Sequence, residues 1–168
     1  EDLHGDNNFA LSWEVEESIV TPLGSLAAVE FFRSKGDQQH LKQALASLDE
    51  ERQLARELNA LVVEAENLFR TTTTEEAKTQ ILNLIPSYPV YSRQFQRQIT
   101  EQHPPTVLEA KLSHDLAYYR YFDQIAALSE KVADLRTLIA DFKKLPQDTS
   151  QDGMQAYLQQ LKIKYSQS

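Results

Sequence analysis

The chain has 168 residues, 41% of them hydrophobic and 25% charged, with a formal net charge of −8 and no cysteine. That length holds one domain with a sizeable core. The negative balance argues against nucleic acid and anionic lipid as partners, since both need a basic face; the missing thiols exclude disulfides, thiolate catalysis and Cys-bound metal. With only 4 Gly and 6 Pro the composition suits helices better than an all-β fold. No apolar run approaches the ~20 residues of a membrane span. The chain begins with Glu1, as a chain does after signal-peptide removal or when cut from a longer protein, and this leans toward an extracytoplasmic or membrane-flanked domain.

A first helix is predicted over about 8–33, with Phe9, Trp13, Ile19, Leu23 and Leu26 on one face. Pro22 and Gly24 lie inside it and predict a kink or a break. Gly36 supplies a left-handed stop and Asp37 a cap for a second helix over about 38–70. There Leu41, Leu48, Ala55, Val62 and Phe69 recur every seven residues, and Glu51 is the charged exception on the seam. Thr73 with Glu76 forms a capping box for a third helix over about 75–101, interrupted at 86–89 by Pro86-Ser87-Tyr88-Pro89. His103-Pro104-Pro105 is the strongest breaker. Thr106 with Glu109 then starts a fourth helix over about 107–145, expected to be the longest. Two heptad rows run through its second half: Tyr118, Ile125, Val132 and Ile139, then Tyr121, Leu128, Leu135 and Phe142. Their phase differs from that of Leu112, Leu116 and Tyr119, as at a stutter. After Pro146 a short helix is expected over 153–165.

Four segments of comparable length joined by short breaks predict an all-α fold, an antiparallel up-down-up-down four-helix bundle with a short C-terminal helix. Residues 1–168 form one domain in this reading. The two clean seams make the second and fourth helices a rigid spine, against which the proline-interrupted first and third helices move or bind.

Few residues point to chemistry. His4, His40, His103 and His114 lack the partners at three- or four-residue spacing that bundle metal sites need, so no metal or other cofactor is expected. No glycine-rich phosphate loop, serine elbow or converging acid–base set appears, so a non-enzymatic role is expected. Glu14, Glu16 and Glu17, and Asp49-Glu50-Glu51, read as solvated faces. Glu51 on its seam is expected to pair with Arg93, Arg97 or Arg120. The densest aromatic stretch is Tyr118 to Phe122, and Tyr91, Arg93 and Arg97 lie on the preceding helix. An arginine fork grips a carboxylate while tyrosine rings wall it in. Arg93, Arg97, Tyr118, Arg120 and Tyr91 are therefore the candidate binding residues, against the alternative of core rings and surface arginines.

The turn Phe31-Phe32-Arg33-Ser34-Lys35-Gly36-Asp37, followed by Leu41 and regular leucine spacing, resembles the first hairpin of the helical sensor domains of bacterial chemoreceptors and sensor histidine kinases. The resemblance implies a periplasmic signal-sensing bundle, a small ligand held between helices, and membrane attachment only through flanking segments. The competing expectation is a structural or protein-interaction bundle, a secreted or lipoprotein-type adaptor or assembly factor. The partners in view are a small anionic ligand, another protein or a second copy of the chain.

Overall fold

The computed structural model describes residues 11–101 and 108–167, with the side chains of all but 98–101. The protein is all-helical, and no strand occurs among the described residues. In chain order the helices are α1 (Trp13–Lys35), α2 (Gln38–Thr71), α3 (Thr74–Leu84), α4 (Pro89–Glu101), α5 (Leu108–Tyr119), α6 (Phe122–Ser129), α7 (Leu135–Phe142) and α8 (Gln151–Ser166). A 3-10 turn, Ile85–Ser87, joins α3 to α4.

The first three boundaries follow local chemistry. Gly36 adopts φ 69° and its N–H reaches the Arg33 carbonyl, while the Asp37 N–H reaches that of Phe32. Those bonds satisfy the last carbonyls of α1, as the sequence predicts. Asp37 then caps α2 by accepting from the His40 N–H at 3.1 Å. The capping box of Thr73 and Glu76 opens α3. Thr106, its proposed counterpart before α5, lies outside the described residues, as do His4 and His103; Glu109 instead accepts from Lys78 at 3.1 Å.

One expected break does not form, and one helix expected to be continuous is divided. Pro22 does not break α1, which runs continuously through it and buries the Pro22 ring. The predicted helix over 107–145 is three helices, so the longest element is α2, with 34 residues. The first break falls at Arg120–Tyr121, where the apolar phase shifts. There Asn59 on α2 donates its amide to the carbonyls of Ala55 at 2.8 Å and Tyr119 at 3.3 Å, satisfying a group freed by the break. The second falls between Ser129 and Leu135, where Asp134 accepts from the Arg136 N–H at 2.9 Å and starts α7. The seam residues Tyr121, Ile125, Leu128, Leu135 and Phe142 are still buried, but at the break and on two separate helices, α6 and α7, rather than on one rod.

Helix α2 touches α1, α3, α4, α5 and α6 and carries two cores along its length. Leu48 and Ala55 join a core with Ile19, Leu23, Phe122, Ile125, Leu138, Phe142, Met154 and Leu158. Leu54, Leu58 and Leu61 join a second core with Ile81, Tyr91, Phe95, Leu112 and Leu116. Tyr119 packs against both. No helix among the described residues is long and apolar enough to cross a membrane.

Candidate functional site

Helices α2 and α4 run antiparallel, because Glu57 meets the start of α4 while Glu50 meets Arg93 further along it. Glu57 is 8% exposed, and its Oε2 accepts from the N–H groups of Val90 at 2.8 Å and Tyr91 at 2.9 Å. Gln53 donates to its other oxygen at 3.0 Å. A carboxylate from another helix thus satisfies the orphan donors that open α4 and complements its dipole. The link fixes α4 on α2 beside the proline break. Next to it the Tyr88 hydroxyl donates to Glu64 at 2.7 Å, and burial, followed by that hydrogen bond and then the Glu64 charge, raises its pKa to about 12.

Beyond this anchor the two helices part into a groove of about 480 Å³, lined by Ser47, Glu50, Glu51, Leu54, Val90, Arg93, Gln94, Arg97 and Tyr119. Arg93 and Arg97 stand one turn apart on α4, both exposed. Arg93 reaches Glu50 at 3.2 Å in a solvated pair. Arg97 has no ion-pair partner among the described residues. Glu51 does not meet an arginine: its Oε2 accepts from the Ser25 hydroxyl of α1 at 2.7 Å. Burial raises its pKa, the Ser25 bond lowers it and the Glu50 charge adds to the rise, so the carboxyl holds its proton to higher pH than an ordinary glutamate. The adjacent Arg52 crosses the bundle instead, bonded to Asp123 at 2.8 Å and Glu130 at 2.5 Å, and Arg56 also reaches Asp123 at 2.7 Å.

Of the five candidate residues the structure brings two, Arg93 and Arg97, to this groove. Tyr91 is fully buried in the second core, where its hydroxyl donates to Asp115 at 2.9 Å. Lys111 also bonds Asp115 and lies 5.9 Å from the Tyr91 ring centre, making a buried cation–carboxylate–phenol cluster. Burial, followed by the Asp115 charge, drives the Tyr91 pKa far up, which keeps the hydroxyl a donor. Tyr118 packs edge-on against Trp13 at 6.0 Å and against His114 at 5.2 Å. Arg120 lines a small recess with Glu14, Ser113 and Tyr121. The aromatic wall of the groove is Tyr119, one residue from the tyrosine singled out. A helical-wheel count that assumed an unbroken helix over 107–145 could not resolve that choice, because the chain leaves the helix after Tyr119.

Among the described residues no group of three or more His, Asp or Glu side chains converges as a metal site would. No family model, no curated protein and no solved structure matches this chain.

Proposed function

We propose that the protein is a non-enzymatic helical binding module that holds a small anionic ligand in the groove between α2 and α4. The observation that carries this reading is the pair Arg93 and Arg97, one turn apart over a wall of Leu54, Val90 and Tyr119. Arg97 offers a guanidinium fork with no ion-pair partner among the described residues, and Arg93 needs only to exchange the solvated Glu50 for a ligand carboxylate. The apolar wall suits a ligand with a hydrocarbon or aromatic body. In this reading the helices form a four-helix bundle: α1, α2, the broken pair α3–α4 and the broken run α5–α7, with α8 as the short addition. It places the module outside the cytoplasm, in signal sensing, with occupancy of the groove shifting α4 against α2.

The raised pKa of Glu51 adds a pH signature. With Glu50 and Glu51 ionised the groove's two carboxylates balance its two arginines. Protonating Glu51 leaves a net positive groove, so anion affinity rises as pH falls through its titration.

A thermal-shift series with benzoate, succinate and citrate tests the reading. Ligand held at 100 times its dissociation constant stabilises by about 2.7 kcal/mol, a shift of several degrees for a domain of this size. Arg97→Ala is expected to remove the shift without changing the ligand-free melting temperature. Three flat responses in the native protein, or a shift that survives Arg97→Ala, would contradict the proposal. The competing reading, a protein-interaction bundle, draws on a different surface, the exposed flank of α2 around Leu45.

A further inference from the structure

Helix α2 begins as a lightly covered arm, held to the first core by Leu41 and Ala44. From Gln38 to Ser47 none of its residues is buried, and Leu48 is the first that is. Further along, the flank bearing Arg52 and Arg56 is covered by α6, through the bonds to Asp123 and Glu130. Helix α6 stops at Ser129, and on the same flank before it Lys42 and Leu45 are exposed. The flank thus presents Lys42, Leu45 and Asp49, all exposed, with Leu45 at 40%.

These three residues stand at spacings of three and four, so they form one stripe about 10 Å long on a single helix face. Read along α2 the stripe is cation, apolar, anion. Neither Lys42 nor Asp49 has a hydrogen bond or ion pair among the described residues. A cation–apolar–anion stripe is complementary to itself reversed. An antiparallel twofold beside Leu45 sets the two leucines together and places Lys42 opposite the partner's Asp49, and Asp49 opposite the partner's Lys42.

We propose that this flank is a self-association surface, where a second copy of the chain packs its α2 arm antiparallel and makes an isologous homodimer. The charge pattern favours a second copy over an unrelated helix, because the stripe supplies both halves of its own complement. Leu45 and Glu50 lie about 140° apart around α2, so the dimer leaves the groove beside Arg93 open. The proposal does not depend on what that groove binds. One leucine pair with two solvated ion pairs makes a small interface, so the association is weak and salt-sensitive.

Sedimentation velocity at low salt, with the protein raised to about 1 mM, reads this directly. The native chain is expected to shift from monomer toward dimer as concentration rises. Lys42→Glu and Asp49→Lys each set like charges together and weaken association at least about tenfold. The double variant K42E/D49K restores it, a result peculiar to pairing between copies, since residues seven apart on one helix do not reach each other. Leu45→Asp abolishes the dimer. All these positions are exposed, so circular dichroism melts of the variants should match the native chain. The proposal is overturned if the native protein stays monomeric throughout, if the single reversals leave the dimer intact, or if the double variant fails to recover it.

Discussion

The two cores along α2 each hold one buried aspartate and neutralise it in opposite ways. In the core of α3, α4 and α5, Asp115 is 2% exposed and its ammonium partner Lys111 is 5% exposed, with the Tyr91 hydroxyl as a further donor. In the core of α6, α7 and α8, Asp141 is equally buried, but its lysines stand in water. The side chains of Lys144 and Lys164 are 65% and 51% exposed, and each reaches the carboxylate at 2.5 Å. The Tyr165 hydroxyl bonds the same carboxylate, and Tyr157 donates to the Asp141 carbonyl at 2.6 Å, so one residue ties α8 to α7. Both clusters satisfy a buried charge, yet only the first takes both ions out of water. The first should therefore be brittle to losing one member, and the second should respond to pH and salt.

The largest effect expected is that of Asp115→Ala. It leaves a buried ammonium unpaired and a buried hydroxyl without its acceptor, which costs about 3–5 kcal/mol in urea denaturation. The double variant K111M/D115L removes both charges and should lie much closer to the native chain. A double as damaging as the single would show that the two cores do not differ in the way described.

A smaller effect belongs to Asp141. Burial alone would raise its pKa, but the bonds from Lys144, Lys164 and Tyr165 outweigh it and hold the carboxyl at about 2, below the ordinary 3.8. Because the folded-state value is depressed, the stabilisation is complete above the ordinary value and fades as pH falls from about 4 through about 2. With both lysines solvated the effect amounts to about 1–2 kcal/mol. Asp141→Asn should flatten the acid limb of the stability–pH curve in that window; an unchanged limb would remove Asp141 from the account.

Asn59→Ala tests the break that separates α5 from α6, and the lost bonds to the Ala55 and Tyr119 carbonyls should cost about 1 kcal/mol. Ser25→Ala, which removes the hydrogen bond from Ser25 to the Glu51 carboxylate, should cost the least, about 0.5 kcal/mol, and raise the Glu51 pKa further when followed by NMR titration.

These contrasts show where the sequence is readable. The helical class, the Gly36–Asp37 stop and start, the Thr73–Glu76 box and the Tyr88–Pro89 break all rest on neighbours within a few residues, and all appear in the structure. Heptad rows identified Ile125, Leu128, Leu135 and Phe142 as core. They did not reveal that the chain turns between them, because a seam records which residues are buried and not whether one helix carries them. The apolar phase shift near Tyr118 and the capping aspartate Asp134 were the available signals for the breaks. Of the kink or break predicted at Pro22, the break does not occur: α1 continues through a buried Pro22. Long-range partners were the least legible. Glu51 with Ser25, Arg52 with Asp123, and Glu57 at the start of α4 join residues 26 to 71 positions apart, which spacing along one helix cannot disclose.

We propose that the groove of α2 and α4, beside the exposed Arg93 and Arg97, holds an anionic ligand. Amide chemical-shift mapping during titration with benzoate tests it most directly. The account predicts saturable shifts confined to residues 47–54 and 90–97, with Tyr119, and their loss in the variant R93A/R97A. Saturable shifts centred elsewhere, or shifts unchanged in that variant, would contradict it.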